Sequence, residues 1–205
     1  MKALHAAFAV AALAVASPVV ASADKATINK PAPDFTLKDL DGKDVKLSSF
    51  KGKPVVLEWF NPGCPYVKKS HTVGSLVDTA QRHTKDGVVW LAINSSAPGK
   101  QGSDPKDNVA AAKTFGLAHP ILRDESGAVG KMYGATNTPH MFVIDKAGVL
   151  RYAGAIDNSP DAEKKSAPDG KLVNYVDAAF EDLAAGRAVK TSETKAYGCG
   201  VKYGS

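Results

Sequence analysis

The chain has 205 residues, 44% of them apolar and 23% charged, and a formal net charge of +5. These values are ordinary for a soluble globular domain with a sizeable core. Lysines alternate with acids along the chain, as in KDLDGKDVK, which predicts a mixed, solvated surface rather than a basic patch. We therefore expect neither nucleic acid nor a membrane as a partner.

The first 23 residues indicate export. A basic start at Lys2 is followed by an apolar run, Ala6 to Ala16, and by the small-residue cleavage pattern Ala21-Ser22-Ala23. The apolar run is shorter than the about 20 residues of a membrane-spanning helix, and an uncleaved anchor that also uses Val19 and Val20 is the alternative. We predict that residues 1–23 are a cleaved signal peptide and that the mature protein is periplasmic or secreted.

Apolar segments of strand-like and helix-like length alternate from about Pro33 to Gly186. This alternation predicts one α/β domain over residues 24–186, followed by a polar C-terminal tail over residues 187–205. The first element is a β-hairpin, because Asp41-Gly42 stands between two short apolar-polar alternations.

The next elements surround a cysteine. Val55 to Phe60 predicts a buried central strand, and Pro65 suits the first position of a helix that the apolar spacing extends to His83. The later elements, in chain order, are predicted as a strand at 88–93, a helix at 105–115, a strand at 121–122, a helix at 128–133, antiparallel strands at 141–145 and 149–153, and a helix at 172–186.

The candidate nucleophile is Cys64, in the stretch NPGCPYVKKSH between the predicted strand and helix. A helix N-terminus favours a thiolate through its unpaired N–H groups and the positive end of its dipole. Lys68 and Lys69, about one turn further on, add positive charge nearby. A reactive thiol and a buried or disulfide-bonded structural cysteine are the two interpretations that spacing alone leaves open.

Several stretches resemble the thioredoxin superfamily: GKPVVLEWFNPGCPYVKK, TNTPHMFVID and, with the front hairpin after APDFTL, FVIDKAGVLRYAGAI. The front hairpin after APDFTL, the stretch GKPVVLEWFNPGCPYVKK and the hairpin FVIDKAGVLRYAGAI resemble its redoxin branch, the alkyl hydroperoxide reductase and thiol-specific antioxidant family. The resemblance implies a thioredoxin-like α/β fold, with a central mixed sheet flanked by helices and an N-terminal β-hairpin. It also implies that Pro139 is a cis-proline, with Thr138, Pro139 and His140 beside Cys64.

Departures from the family pattern decide which substrate the resemblance favours. Val67 stands where thioredoxins have the second cysteine of CxxC, so no neighbouring residue of that motif can resolve a mixed disulfide. Asn61 stands where peroxiredoxins have a threonine, and Pro139 where they have an arginine. In peroxiredoxins that threonine and arginine stabilise the negative charge on the leaving oxygen.

The substitute arginines would be Arg123 and Arg151, which are more often surface residues. The resemblance therefore implies a thiol oxidoreductase that prefers a protein or small-molecule disulfide and depends on an external thiol reductant. A peroxiredoxin-like peroxide reductase is the first alternative, and a non-enzymatic redoxin-shaped binding module is the second.

Two further residues belong to the predicted site. Glu58 lies at the position where thioredoxins carry a buried acid thought to relay protons; a buried carboxylate needs a partner or a proton, so a relay and an edge-facing salt bridge both stay open. Cys199 lies between Gly198 and Gly200 in a polar, flexible context, and resembles the distant resolving cysteine of some redoxins. A permanent Cys64–Cys199 bond, which would stabilise the fold by about 4 to 5 kcal/mol, is the alternative.

A copper site, as in redoxin-related copper chaperones, is the remaining alternative. Those proteins carry two cysteines close together, and this chain does not. His71 is seven residues beyond Cys64, about 10 Å of helical rise, and His140 with Cys64 makes an incomplete ligand set. We therefore predict no metal and no cofactor, and expect His140 to tune the charge of the thiolate.

Overall fold

A computed structural model describes residues 25–159 and 161–204, so the predicted signal peptide lies outside the described residues. The strands are β1 (Thr36–Asp39), β2 (Asp44–Lys46), β3 (Val55–Trp59), β4 (Val89–Asn94), β5 (Ile121–Arg123), β6 (Asn137–Thr138), β7 (His140–Ile144), β8 (Leu150–Gly154) and β9 (Cys199–Gly200). The α-helices are α1 (Pro65–Thr72), α2 (Thr79–Lys85), α3 (Pro105–Thr114), α4 (Ala128–Tyr133) and α5 (Tyr175–Ala184).

The central sheet has the strand order β2-β1-β5-β4-β3-β7-β8, and β6 pairs with β9 in a separate two-stranded ladder. Strand β3 runs parallel to β4 and antiparallel to β7, so the sheet is mixed, as the resemblance implied. The predicted hairpin is formed by β1 and β2, and Gly42 supplies the positive φ of 81° that its turn requires.

Strand β3 lies at the centre of the fold, and all five of its residues are buried. Its side chains alternate between the two faces of the sheet, as the two-residue period of a strand dictates. Leu57 and Trp59 pack with Leu91 and Phe142 on one face, whereas Val56 packs with residues from α2 and α5 on the other. Cys64 therefore follows closely after the carboxyl end of a buried central strand.

The predicted continuous helix from Pro65 to His83 is wrong. Helix α1 ends at Thr72, a 3-10 turn covers Ser75–Val77, and α2 follows. Gly74 allows the break, because a Cβ atom there would lie 2.6 Å from the carbonyl oxygen of Ala162. Val73 and Val77, which contributed to the helical spacing, are 58% and 45% exposed and belong to no buried face.

Among the helices of the described residues, none combines the length and hydropathy that a membrane span requires.

Candidate active site

Cys64 occupies the N-cap position of α1, directly before Pro65 in the first helical position. Its side chain is 0% exposed and packs in an apolar cluster with Phe60, Val67 and Ile121. The thiol donates a hydrogen bond to the carbonyl oxygen of Thr138, with 3.2 Å between Sγ and O. The predicted helix-start cysteine is thus also the residue that faces the loop before β7.

The peptide bond between Thr138 and Pro139 is cis, as the resemblance implied. Thr138 ends β6 and is in contact with Cys64, and His140 opens β7 opposite Trp59. The hydroxyl of Thr138 is buried and makes no hydrogen bond while Cys64 is a thiol. That hydroxyl is available as a donor to the sulfur once Cys64 ionises, and the sequence pattern gave no sign of this role.

His140 does not tune the Cys64 thiolate. Burial lowers the pKa of His140 to about 4, so the imidazole is neutral at neutral pH. Its Nδ1 atom accepts a hydrogen bond from the N–H of Thr136, at 3.3 Å, and its ring lies 4.5 Å from that of Phe142. The expectation that His140 supplies charge to the site is therefore wrong.

Cys199 lies beside Cys64. Strand β9 pairs antiparallel with β6, so that Cys199 stands opposite Thr138 and Gly200 opposite Asn137. Cys199 packs against the same apolar cluster as Cys64. Both cysteines are free thiols in this structure.

The C-terminal segment, residues 196–204, is held along its length, contrary to the flexible context that its glycines suggested. The N–H of Val201 donates to the carbonyl of Thr136, at 3.0 Å, and the hydroxyl of Tyr203 donates to the carbonyl of Ala135, at 2.8 Å. Before Cys199, the Tyr197 hydroxyl donates to Asp157 at 2.7 Å. These contacts come from residues distant in sequence, which is why local composition could not predict them.

The two thiols have opposite pKa shifts. Burial alone raises the pKa of Cys64, but the donors that face its ionised sulfur, first the Cys199 thiol and the Thr138 hydroxyl and then the N–H groups of Val67 and Cys199, outweigh burial and lower the pKa. Burial, and then the hydrogen bond to Cys64 and its negative charge, raise the pKa of Cys199 to about 11. Of the two thiols, Cys64 is therefore the more acidic.

Glu58 is fully buried in β3 and has partners for both carboxylate oxygens. His71 Nε2 lies 2.7 Å from Oε1, and the indole N–H of Trp90 donates to Oε2 at 2.9 Å. Burial by itself raises the pKa of Glu58, yet the interaction with His71, with a weaker contribution from the Trp90 hydrogen bond, lowers it. The partner of Glu58 is thus an interior histidine on α1, and the salt bridge is not at a sheet edge.

The histidines near Glu58 do not complete a metal centre. His71 is bound to Glu58 and stacks on Phe115, with 5.2 Å between ring centres. Burial lowers the pKa of His119 to about 4, which leaves it neutral. Across residues 25–159 and 161–204, no group of three or more His, Cys, Asp and Glu side chains is placed to hold a metal ion.

Asn61, at the position of the peroxiredoxin threonine, has an assigned structural partner for each polar atom. Its Nδ2 donates to Ser96 Oγ at 3.1 Å and to the carbonyl of Gln101 at 3.0 Å, and its Oδ1 accepts the N–H of Gly63 at 2.8 Å. It therefore fastens the loop of residues 95–104 to the segment that precedes Cys64.

The two candidate arginines are engaged elsewhere. Arg123 pairs with Glu125, and Arg151 pairs with Asp145 at 2.7 Å and with Asn29 at 2.8 Å. Neither pair includes a residue of the Cys64 cluster.

The redoxin family model matches residues 27–171, which includes Cys64 and the cis-proline. The chain belongs to the redoxin family. The matched region ends before Cys199, so Cys199 lies in a part of the chain beyond the family match.

Curated relatives fall into two functional groups. The chain is 34% identical over 131 residues to a chloroplastic peroxiredoxin Q of Triticum aestivum, covering 58% of this chain and 55% of that protein. It is 32% identical over 132 residues to the thiol-disulfide oxidoreductase ResA of Geobacillus thermodenitrificans, covering 60% of this chain and 67% of that protein. The chain thus spans little more than half of the peroxiredoxin.

Solved structures share the fold. A hypothetical protein of Sinorhizobium meliloti 1021 superposes with a TM-score of 0.75 and 27% identity, covering 89% of this chain and 97% of that one. A Bacteroides thetaiotaomicron protein assigned as a protein disulfide isomerase superposes with a TM-score of 0.53 and 22% identity, covering 80% and 91%. The redoxin fold is accordingly thioredoxin-like, as its sequence motifs implied.

Proposed function

We propose that this redoxin is a thiol-disulfide oxidoreductase in which Cys64 is the nucleophile and Cys199 resolves the mixed disulfide. The proposal depends on one observation above all: Cys199 packs against the Cys64 cluster and stands opposite Thr138, whose carbonyl oxygen lies 3.2 Å from the Cys64 sulfur. A thiolate is the reactive form of cysteine, and the protonated neighbour supplies the second thiol of the couple.

The reaction balances with these two residues alone. The Cys64 thiolate attacks one sulfur of a substrate disulfide, forms a mixed disulfide and releases the other sulfur as a thiolate that takes up a proton. Cys199 then loses its proton and attacks the Cys64 sulfur, which releases the second substrate thiol. Two electrons pass from the protein dithiol to the substrate, and an external thiol reductant restores Cys64 and Cys199.

Glu58 and Pro139 have supporting roles in this proposal. The cis peptide before Pro139 accompanies a backbone that brings Thr138 to the Cys64 sulfur. Glu58 and His71 join β3 to α1, the two elements that meet at Cys64, by a buried hydrogen bond. Neither carboxylate oxygen of Glu58 contacts a sulfur, so we assign Glu58 a positioning role rather than a catalytic one.

Peroxide reduction is the second candidate, and the similarity to peroxiredoxin Q favours it. In that reaction the Cys64 thiolate attacks the peroxide bond, becomes a sulfenic acid and releases water or an alcohol; Cys199 condenses with the sulfenic acid and releases a second water. The engagement of Asn61 with the loop of residues 95–104 leaves no free side chain at the threonine position, which favours the disulfide.

An exported location completes the proposal. The signal-like residues 1–23 support export. A Cys64–Cys199 couple that cycles between dithiol and disulfide also suits an oxidising compartment. The proposed partners are a polypeptide or small-molecule disulfide and a thiol reductant.

Stopped-flow kinetics test the choice of substrate. The reduced protein is mixed with a disulfide-linked peptide and, separately, with hydrogen peroxide, and Cys64→Ser serves as the control in both reactions. We expect the disulfide to react faster. A peroxide rate far above that of a free thiol, lost in Cys64→Ser, would establish the peroxidase instead.

Mass spectrometry of the oxidised protein tests the resolving role. Formation of the Cys64–Cys199 bond removes two hydrogens, and Cys199→Ser should accumulate the mixed disulfide. Normal cycling of Cys199→Ser would show that another thiol resolves, and a bond that resists mild reductants would indicate a structural disulfide.

A further inference from the structure

The end of the C-terminal segment lies on the start of helix α4. The ring of Tyr203 covers Gly127, where a Cβ atom would come 2.6 Å from ring atom Cδ1, and extends to Gly130, where a Cβ atom would collide with the Tyr203 hydroxyl. The same hydroxyl donates to the carbonyl of Ala135 at 2.8 Å, and Lys131 Nζ lies 5.7 Å from the ring centre. Gly127 and Gly130 thus form a seat for the ring, which we call the glycine seat.

The glycine seat is fixed to the centre of the fold by buried hydrogen bonds. The carboxylate of Asp124 accepts the N–H of Gly130 at 2.8 Å and the hydroxyl of Ser95 at 2.7 Å. Ser95 Oγ in turn accepts the indole N–H of Trp59, the last residue of β3, at 3.0 Å. Asp124, Ser95 and Trp59 are all buried, so moving the seat would leave polar groups without partners. The position of the seat is therefore set relative to the strand that leads to Cys64.

Between Cys199 and Tyr203 the segment is attached through its main chain. The N–H of Val201 donates to a carbonyl just before β6 at 3.0 Å, and the carbonyl of Lys202 accepts the N–H of Ala97 at 2.8 Å. The ladder of β6 and β9 contributes two residues from each strand. So short a pairing is marginal, because ordering the chain costs about as much free energy as the bonds return. The ring of Tyr203 is the largest apolar side chain that holds the segment beyond Cys199.

We propose that Tyr203 is a positioning residue of the redox couple: with its ring on the glycine seat, it holds the Cys199 thiol where that thiol resolves a mixed disulfide on Cys64. This inference rests on the proposed function and adds to it the residue that sets the effective concentration of the resolving thiol. Tyr203 acts through Cys199, four residues earlier in the chain, and takes no part in the chemistry itself.

The resolving step shows what this positioning contributes. Cys199 loses its proton to the solvent, and its sulfur attacks the Cys64 sulfur of the mixed disulfide. The bond between Cys64 and the substrate breaks, and the substrate sulfur leaves as a thiolate that takes up a proton. The rate and equilibrium of such an intramolecular step depend on the effective concentration of the attacking group at its target. A seated segment keeps that concentration high, whereas a released chain end samples many other positions.

Redox titration in glutathione buffers measures this effective concentration at equilibrium. Mass spectrometry quantifies the Cys64–Cys199 bond over a series of ratios of reduced to oxidised glutathione. Tyr203→Ala should lower the effective concentration of Cys199 about tenfold, because the reduced segment loses its seat while the disulfide still holds the oxidised segment. The reduction potential of the couple should therefore become less negative by about 30 mV. Tyr203→Phe, which keeps the ring, should lie between wild type and Tyr203→Ala.

Two glycines at the ends of α4 provide matched variants that leave the C-terminal segment unchanged. Gly127 and Gly134 flank the helix with left-handed φ values of 69° and 67°, so alanine causes the same kind of backbone strain at both. The three atoms nearest to a Cβ atom at Gly127 all belong to Tyr203, whereas a Cβ atom at Gly134 would meet nothing within 4 Å. Gly127→Ala should therefore shift the potential in the same direction as Tyr203→Ala, and Gly134→Ala should leave it unchanged.

A double variant separates the effect of the ring from that of the helix. In the Tyr203→Ala background the methyl group of Gly127→Ala has no ring to displace. The two changes together should therefore shift the potential no further than Tyr203→Ala alone. An additive shift, or equal potentials for Gly127→Ala and Gly134→Ala, would overturn the positioning role of Tyr203.

Alkylation of Cys199 keeps this inference separate from the proposed function. In a Cys64→Ser background Cys199 is the only thiol, and its reaction with iodoacetamide involves no redox step. Tyr203→Ala and Gly127→Ala should each accelerate the reaction at least about threefold, and Gly134→Ala should not. Equal rates in all three variants would refute the role of the glycine seat. A wild-type protein that forms no Cys64–Cys199 bond at any glutathione ratio would refute the proposed function, and the alkylation rates would still decide whether Tyr203 positions Cys199.

Discussion

The two cysteines of the site are held by regions of very different construction. Cys64 lies between a fully buried strand and a helix, inside the redoxin match, and its position is set by the centre of the fold. Cys199 lies beyond that match, in a segment fastened by a two-residue ladder and a few bonds to main-chain carbonyls. In the proposed function, the centre of the fold therefore positions the nucleophile, and the C-terminal segment supplies the resolving thiol.

The largest expected effect comes from exchanging the two sulfurs for oxygen. Cys64→Ser should lower disulfide reduction by roughly a thousandfold or more, because it removes the nucleophile. In Cys199→Ser the rate of the first attack should stay within about threefold of the wild-type rate, since a hydroxyl can still donate to the thiolate. Only the resolving step should be lost. Stopped-flow release of the first product thiol measures both. An equally slow first step in the two variants would contradict the assignment of separate nucleophilic and resolving roles to the two cysteines.

The next effect concerns the region that holds Cys64, where β3 and α1 meet. His71→Ala should lower the free energy of unfolding by about 3 to 5 kcal/mol, because it leaves the buried Glu58 carboxylate without its main partner. The pKa of Glu58 lies below its ordinary value of 4.5, so the wild-type contribution is present above that pH and is lost as pH falls through the folded pKa.

Urea titrations at several pH values measure this prediction. The difference between wild type and His71→Ala should shrink in acid, since a protonated Glu58 no longer carries a buried charge. His83→Ala is the control, because His83 pairs with the more exposed Asp177 and its loss should cost less. A pH-independent difference would show that His71 contributes by packing alone.

A smaller effect is expected where the two regions meet. Thr138→Val removes a buried hydroxyl that is free to donate to the Cys64 thiolate, and should raise the pKa of Cys64. The pH profile of Cys64 alkylation measures it: the midpoint should move to higher pH while the rate of the full thiolate changes little. Thr136→Val, whose main-chain carbonyl rather than its side chain binds Val201, should leave the midpoint unchanged.

The smallest effect should appear in the C-terminal segment. Tyr203→Phe removes the hydrogen bond to the carbonyl of Ala135 and should weaken docking of the C-terminal segment by about 0.5 to 1.5 kcal/mol. Hydrogen exchange at the Val201 N–H should accelerate accordingly, while exchange in β3 should not. Tyr175→Phe, which removes the hydroxyl of a ring stacked on Tyr152, is the control.

Local patterns predicted the parts of the fold that depend on neighbours in sequence. The apolar run of β3, the proline after Cys64 and the Asp41-Gly42 turn each produced the expected element. The helix beyond Thr72 was mispredicted, because the contact of Gly74 with Ala162 is made 88 residues along the chain and leaves no periodic trace.

The sequence by itself determined that Cys64 opens a helix after a central strand, that a cis-proline precedes β7 and that the chain is a redoxin with thioredoxin-like motifs. Only the tertiary structure decided that Cys199 joins the site. The reason is physical: a polar segment with glycines on both sides of its cysteine has no preferred conformation of its own, and it becomes a strand because β6 offers unpaired main-chain groups beside a buried sulfur.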